Sequence, residues 1–352
     1  MPSLIEGAGD PVLSVRDLHT TIDTENGTVH AVDGVSFDLY PREVLAIVGE
    51  SGCGKSMTAL SILGLLPKRA GRIEGGQVVF GGRDLTTLSE RALRSVRGDQ
   101  IAMIFQDALT GLNPVYRVGD QISEMIRAHR DVSKKKALAQ AVELLDLVGI
   151  PNPAHRARNY VHEFSGGMRQ RAMIAMAIAL EPDILIADEP TTALDVTVQA
   201  QVMDLLLRLR EQLGMAIILI THDLGVVAGT ADRVMVMYAG RKIEEQGILQ
   251  LFAAPRHPYT WGLLGSMPRA DEITDRLSPI HGAPPSLIAP PVGCRFSPRC
   301  RYAKDVCRID EPPLRRVGDG ALVSCHFADR PDWTPDLSPA AFAAQVVDGG
   351  DE

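Results

Sequence analysis

Apolar and polar residues alternate near the amino terminus and give way to short, wholly apolar runs further along the chain. Alternation at 13–15 and 35–37, with a polar turn at 23–27 between them, predicts a small antiparallel sheet. Continuous apolar runs of this length are typical of strands buried on both faces. They are residues 44–48, 101–105, 184–187 and 216–220. We therefore expect an α/β fold with a parallel core sheet and an antiparallel β subdomain.

A helical block interrupts these strands. Between about 110 and 165, apolar residues recur at three- and four-residue spacings over 118–129 and 133–148, which predicts an inserted α-helical subdomain. Leu138, Val142, Leu145 and Val148 would lie on one face of the second helix. Longer helices are also expected at 165–180 and 198–213, between the later strands.

The pattern changes again beyond residue 255, where proline becomes frequent and little helix is expected. We therefore predict a core domain over 1–255, a small irregular cysteine-bearing extension over 256–335, and a disordered acidic tail over 336–352. A segment as short as the extension buries little apolar surface, so a cross-link through a metal would supply stability.

Composition and charge restrict the function. The 352 residues include 44 acidic and 36 basic side chains, and the basic ones are scattered, which argues against nucleic acid as a partner. Residues 1–11 lack the basic and apolar regions of a secretory signal. No apolar stretch approaches the ~20 residues of a spanning helix. We expect any role at a membrane to be peripheral.

A glycine-rich stretch follows the apolar run at 44–48 and precedes a helical pattern. Such a turn directs backbone N–H groups and a helix amino terminus at a phosphate chain. Lys55 would reach the β- and γ-phosphate oxygens, and the Ser56 hydroxyl would ligate Mg²⁺. The predicted nucleotide-binding residues here are Gly49, Glu50, Ser51, Gly52, Cys53, Gly54, Lys55 and Ser56.

Polar residues also follow the other apolar runs. Gln106, the pair Asp188 and Glu189, and His222 each come directly after a predicted strand, and ligands gather at the carboxyl ends of parallel strands. Asp188 would help to hold Mg²⁺ and Glu189 would polarise the attacking water. Gln106 would sense the γ-phosphate or its metal, and His222 would contact the γ-phosphate or orient the carboxylates. Taken singly, each residue also fits a solvated loop.

Four of the five cysteines crowd the extension: Cys294, Cys300, Cys307 and Cys325. In a reducing compartment, clustered thiols more often hold a metal than form disulfides. The gaps of five, six and seventeen residues contain no Cys-x-x-Cys pair, which weakens a zinc-ribbon interpretation. Four thiolates also suit a [4Fe–4S] cluster. A cluster, Zn²⁺ and unligated thiols stay open on this evidence.

Together, the ordered motifs over about 12–250 resemble the ATP-binding cassette (ABC) family of P-loop NTPases. The motifs are the loop 49–56, Gln106, Ser165-Gly166-Gly167, Asp188-Glu189, Ala193-Leu194-Asp195 and His222. The resemblance implies that the chain binds ATP and Mg²⁺ and hydrolyses ATP. It also implies that Ser165, Gly166, Gly167 and Asp195 act in trans, in the site of an opposing subunit.

Two positions depart from the family pattern. Met168 stands where glutamine is commoner, which would soften ribose contacts but leave the phosphate donors. No Phe, Tyr or Trp occurs between Leu18 and Val29, where an aromatic residue usually stacks on adenine. Ile22 is nearest to that place, so we expect apolar packing against the base.

A narrower likeness, at 105–107, 112–114, 164–171 and 257–260, points to the D-type ATP-binding subunits of oligopeptide/dipeptide importers. It implies an F-type second cassette, two transmembrane permeases that face residues 106–121, and an extracytoplasmic peptide-binding protein. It further implies a peripheral place on the cytoplasmic face of the inner membrane and a [4Fe–4S] cluster on the four cysteines. The alternatives are a cassette of a nickel or other solute importer and a soluble cassette ATPase without a transporter.

Overall fold

The computed structural model of the chain describes residues 9–107, 111–192, 194–267, 280–318 and 320–329. The expected acidic tail and Ala193 lie outside these ranges. The strands are β1 (Leu13–Thr24), β2 (Gly27–Leu39), β3 (Val44–Val48), β4 (Gly71–Phe80), β5 (Arg83–Asp84), β6 (Ile101–Ile104), β7 (Ile184–Asp188), β8 (Ala216–Thr221), β9 (Arg233–Tyr238), β10 (Arg241–Gly247), β11 (Arg315–Val317) and β12 (Ala321–Val323).

Helices connect and flank these strands. They are α1 (Lys55–Ile62), α2 (Glu90–Val96), α3 (Val118–His129), α4 (Lys134–Leu147), α5 (Pro153–Arg156), α6 (Gly166–Ala177), α7 (Val196–Leu213), α8 (Leu224–Ala228), α9 (Ile248–Ala253), α10 (Pro258–Gly265) and α11 (Asp305–Ile309). Short 3₁₀ turns lie at Leu85–Thr87, Val161–Glu163 and Ser297–Arg299.

Two sheets organise the described residues. The smaller is antiparallel, in the order β2-β1-β4-β5, and the larger has eight strands in the order β11-β12-β10-β9-β3-β8-β7-β6. Strands β3, β8, β7 and β6 are neighbours and all parallel. Their carboxyl ends therefore meet at one edge, as the apolar runs predicted, and this confirms the α/β fold with its antiparallel subdomain.

Strand β3 shows why the core has two layers. Leu45 and Ile47 pack with residues of the antiparallel sheet, such as Leu13, whereas Ala46 and Val48 belong to the cluster that contains the helices. Successive side chains of a strand point to opposite faces, so an all-apolar strand is stable only when both faces are covered. The run at 44–48 therefore predicted burial on both sides.

The inserted block consists of helices α3, α4 and α5, followed by α6. On α4 the fully buried residues are Ala137, Ala141 and Leu145. Of the predicted face, Leu145 and Val148 are fully buried, whereas Leu138 and Val142 are only partly buried. The buried face is therefore slightly rotated towards the two alanines. Apolar periodicity located the helix, but side-chain size decides which residues lie at its centre.

The C-terminal segment, defined here as the described residues from Arg256 to Asp329, is more regular than expected. It begins with α10, and its strand β12 pairs with β10 of the core sheet through Val323 and Leu322. The prediction of an irregular extension with little helix was therefore incomplete. Sheet pairing supplies contacts that the proline-rich pattern does not reveal.

None of the helices among the described residues combines the length and the apolar character needed to cross a bilayer.

Candidate functional site

The glycine-rich loop joins β3 to α1 and has the conformation that its glycines permit. Gly49 and Gly54 have φ angles of 153° and 105°, and a Cβ atom at either would collide with a backbone carbonyl, of Met237 and Ala31 respectively. Side chains are excluded there by both dihedral angle and space. The loop can therefore bring its backbone N–H groups close to a bound phosphate chain.

Lys55 and Ser56 begin the helix α1 directly after the loop. The buried Lys55 ammonium group donates to the carbonyl oxygens of Gly49 and Glu50, at 2.8 and 2.9 Å. The Ser56 hydroxyl donates to a carboxylate oxygen of Asp188 at 2.9 Å. Hydroxyl and carboxylate oxygens are ligands that Mg²⁺ prefers, so this pair has the chemistry of a magnesium site beside the loop.

Glu189 is the centre of a second cluster. One of its carboxylate oxygens accepts hydrogen bonds from the Gln106 amide at 2.8 Å and the Thr192 hydroxyl at 2.9 Å, and the other lies 3.2 Å from His222 Nδ1. The structure thus brings together three residues that the sequence placed after three different strands. Thr192, which was not predicted, joins them because the turn after β7 folds back on its own carboxylate.

The pKa values of Asp188 and Glu189 are shifted in opposite directions. Burial raises the pKa of Asp188, against the hydrogen bond from Ser56. Burial also acts to raise the pKa of Glu189, but the hydrogen bonds from Thr192 and His222 outweigh it, and the pKa is lowered. The lowered pKa favours the ionised form of Glu189, which is the form that can accept a proton.

The backbone at Glu189 is strained. Its φ angle is 46°, in the left-handed region, and its N–H donates to the Ile220 carbonyl oxygen at 2.8 Å. A non-glycine residue pays a cost of about 1–3 kcal/mol to stay in such a conformation. The bond to β8 fixes it there and directs the carboxylate towards His222.

The residues predicted to act in trans lie together on another face. Ser165 caps α6 by accepting from the Met168 N–H, and Asp195 caps α7 by accepting from the Val198 N–H. Gly167 lies against the Val198 side chain. Ser165 and Asp195 are both exposed. Their action in an opposing subunit stays a prediction.

Ile22 lies on β1, in register with Val29 on one side and Gly71 on the other. Its side chain is half-buried, with Cδ1 close to Gly71. A contact between Ile22 and adenine therefore stays a prediction.

The C-terminal segment also contacts the hairpin formed by β1 and β2, since the His30 N–H on β2 donates to the Leu287 carbonyl oxygen at 2.9 Å.

The four clustered cysteines line one small cavity under the C-terminal segment, together with His257 and Phe296. Each cysteine is free of disulfide bonds. Burial raises the pKa of Cys300 to about 12 and that of Cys325 to about 11. Among the described residues, no group of three or more His, Cys, Asp or Glu side chains is arranged to hold a metal ion.

Two residues of the C-terminal segment reach the phosphate loop, which the sequence did not predict. The Tyr259 hydroxyl oxygen accepts from the Glu50 N–H at 2.8 Å, and Arg299 donates to the Glu50 carboxylate. Tyr259 falls in the 257–260 motif, but that motif says nothing about where the side chain goes. Arg299 lies 249 positions after Glu50 and has no local signal.

An apolar groove opens between β6 and the inserted helices. Leu65, Phe105, Met125 and Met176 contribute to its lining. Phe105 and Leu65 are more than a third exposed. Large exposed apolar side chains grouped in this way are typical of a protein contact surface.

Two regions of the sequence match known families. Residues 32–192 match the family described as ABC transporter. Residues 243–307 match the family described as oligopeptide/dipeptide transporter, C-terminal region. The first match contains the phosphate loop and the carboxylate pair, and the second contains three of the four clustered cysteines.

Relatives of similar length match nearly end to end. The dipeptide transport ATP-binding protein DppD of Bacillus subtilis (strain 168) is 52% identical over 321 residues, which are 91% of this chain and 96% of that protein. The oligopeptide transport ATP-binding protein OppD of Escherichia coli (strain K12) is 49% identical over 322 residues, 92% of this chain and 95% of that one.

Among solved structures, the dimeric post-hydrolysis state of the ATP-binding cassette MJ0796, bound to ADP and Pi, is similar to this chain. The TM-score is 0.60 at 26% sequence identity, and the match covers 67% of this chain and 98% of the other.

Proposed function

The chain belongs to the ABC transporter family, among the ATP-binding subunits of oligopeptide/dipeptide importers, and we propose that it hydrolyses ATP to drive peptide import. The observation that carries this proposal is the convergence of two clusters at the ends of neighbouring parallel strands. Ser56 and Asp188 form one, and Gln106, Glu189 and His222 form the other.

The roles follow from the contacts. Backbone N–H groups of the loop and the Lys55 ammonium hold the phosphates, and Glu189 accepts the proton of the water that attacks the γ-phosphorus. Gln106 and His222 keep the Glu189 carboxylate in place from two sides. Ser56 and Asp188 would hold Mg²⁺, which neutralises charge on the phosphate oxygens when bound.

The second half of the ATP site is proposed to come from another cassette. Ser165, Gly166, Gly167 and Asp195 lie on an exposed face beside the start of α7, where an opposing subunit has access to them. The apolar groove at Phe105 is proposed to receive the permeases. We infer an F-type second cassette, two permease subunits and a peptide-binding protein outside the membrane, with this chain on the cytoplasmic face of the inner membrane.

Purification from detergent-solubilised membranes tests the assembly. We expect a tagged chain to recover two permeases and a second cassette, and the complex to show ATPase activity stimulated by peptide with its binding protein. Stimulation by nickel or another solute instead would point to a different importer. Recovery with ribosomes and without permeases would overturn the proposal in favour of a soluble cassette ATPase.

For the four clustered cysteines we propose a [4Fe–4S] cluster, with Zn²⁺ as the alternative. The four cysteines line one cavity, and their protons would have to leave when the metal binds. Binding of a cluster would require these side chains to rearrange, since the described residues contain no preformed group of metal ligands. Residues 256–335 are proposed as the extension that carries it.

Metal analysis tests this proposal. Anaerobically prepared protein should contain about four iron atoms and four acid-labile sulfides per chain. Cys300→Ser should lose most of the iron, whereas the matched control Cys53→Ser, outside the cavity, should keep it. Stoichiometric zinc without sulfide, or no metal at all, would contradict the cluster.

A further inference from the structure

We propose that Arg299, on the turn between two of the clustered cysteines, is a positioning residue of the ATP site that holds the phosphate loop through Glu50. This inference rests on the ATPase activity proposed above. It gives the C-terminal segment a direct part in nucleotide binding, separate from any metal that the segment carries.

The contact is a bidentate ion pair. Arg299 Nη1 donates to Glu50 Oε2 at 2.6 Å and Nη2 donates to Glu50 Oε1 at 2.9 Å. The Arg299 side chain is 4% exposed and that of Glu50 26% exposed. Two parallel hydrogen bonds between a planar guanidinium and a carboxylate fix orientation as well as distance. A half-shielded pair of this kind is also weakened less by salt than a surface one.

Arg299 is itself held rigidly. Its Nε donates to the His281 carbonyl oxygen, its second Nη1 hydrogen to the Tyr238 hydroxyl, and its second Nη2 hydrogen to the Ile280 carbonyl oxygen. All five guanidinium N–H groups thus have an acceptor. A lysine cannot reproduce this set, so the position requires arginine.

The residue that Arg299 holds is central to the loop. The Glu50 carbonyl oxygen accepts from Lys55 Nζ at 2.9 Å and from the Cys53 N–H at 3.3 Å, and the Glu50 N–H donates to Tyr259. A shift of Glu50 would therefore move the Lys55 ammonium and the turn that presents the loop amides. Both act on phosphates, so the consequence is expected in ATP affinity.

An aromatic cluster makes this connection stiff. The rings of Tyr238, Tyr259 and Phe296 lie with centroids 4.6 to 5.4 Å apart, and the Arg299 guanidinium lies 5.8 Å from the Tyr238 centroid. Tyr238 ends a core strand, whereas Tyr259 and Phe296 belong to the C-terminal segment. Tight packing of these rings leaves Arg299 little freedom to move away from the loop.

A purely structural role would be to attach the C-terminal segment to the core. Arg295 provides the comparison, because it also pairs with a core carboxylate, Asp33, and donates to the Ala239 carbonyl oxygen. Loss of either arginine should loosen the segment. Only loss of Arg299 removes a bond to the phosphate loop.

The test is steady-state ATPase kinetics of the purified complex. We expect Arg299→Gln to raise the KM for ATP about fivefold or more with kcat within about twofold, since binding and not chemistry is affected. Arg295→Gln should lower the melting temperature of the protein by about as much as Arg299→Gln does, but it should change the KM for ATP less than twofold. Arg299→Lys should restore only part of the lost affinity. Glu50→Gln should match Arg299→Gln, and the double variant should be no worse than either.

Each outcome has a definite meaning. An unchanged KM in both Arg299→Gln and Glu50→Gln, or equal KM changes in Arg295→Gln and Arg299→Gln, would overturn the positioning role. If Arg299→Gln does not fold, Glu50→Gln decides the matter from the loop side. A wild-type complex without ATPase activity would instead refute the proposed function itself.

Discussion

The phosphate loop and the C-terminal segment meet at Glu50, yet they reach that point by different kinds of sequence information. The loop is contiguous: its glycines, Lys55 and Ser56 lie within eight positions, and local dihedral angles fix its shape. The segment contacts the loop through Tyr259 and Arg299, which lie 209 and 249 positions after Glu50 in the sequence. The shape of the loop is therefore encoded locally, whereas its support is encoded at long range.

This difference predicts different failures. Changes in the loop or at the strand ends should stop chemistry or binding outright, because those groups are proposed to contact the nucleotide. Changes in the C-terminal segment should tune affinity or stability, since its residues act through others. The following variants test that division from the largest expected effect to the smallest.

Glu189→Gln should have the largest effect. Removal of the carboxylate that we propose accepts the water proton should lower kcat for ATP hydrolysis by roughly a thousandfold. Nucleotide binding should persist, because Lys55 and the loop are intact. Equilibrium binding of ATP and single-turnover hydrolysis measure the two properties separately.

The contrasting loop variant is Lys55→Ala, which should weaken ATP binding itself. Glu211→Gln, an exposed change on α7, serves as the matched carboxylate control and should leave both properties unchanged. If Glu189→Gln hydrolyses ATP as fast as the wild type, another group must be the base. Glu189 would then, like the C-terminal segment, act only by supporting other residues.

A buried carboxyl group attaches the C-terminal segment to the core and gives an intermediate effect. Glu244 of β10 accepts from the Arg256 and His257 N–H groups and from the Thr260 hydroxyl at the start of α10. Burial raises its pKa from 4.5 to about 7. Between pH 4.5 and about 7, Glu244 is therefore protonated in the folded chain and ionised in the unfolded chain. The free energy of unfolding consequently falls as the pH rises through this range.

Glu244→Gln should remove that pH dependence. From pH 4.5 to 8, the free energy of unfolding of the wild type should fall relative to that of the variant by about 3 kcal/mol. Denaturant unfolding at a series of pH values measures it. If the difference in the free energy of unfolding between the two proteins does not change with pH, Glu244 stays ionised in the folded chain and the predicted pH dependence is wrong.

Much of the site could be predicted because parallel strands bring their ends together. Gln106, Asp188, Glu189 and His222 each follow an apolar run, and one topological rule places them at one edge. Thr192 needed the turn geometry after β7 and was missed. Tyr259 and Arg299 were missed because nothing local to 257–260 or 297–299 indicates which distant loop their side chains contact.

Cys53→Ser should have the smallest effect, although the residue lies inside the phosphate loop. Cys53 is 5% exposed, and burial raises its pKa more than Lys55, with Nζ 3.9 Å from the sulfur, lowers it. Peroxide reacts with thiolates, so this protonated thiol should be inert. The variant should hydrolyse ATP within about twofold of wild type.

Peroxide treatment then separates the two regions. Equal inhibition of wild type and Cys53→Ser is expected, and any such inhibition must arise outside the loop. A rise in KM for ATP after treatment, absent in Arg299→Gln, would trace that inhibition to the contact with Glu50. If Cys53→Ser instead keeps its ATPase activity after peroxide treatment while the wild type loses it, the sensitive thiol is Cys53 in the phosphate loop, and the prediction that this thiol is inert is wrong.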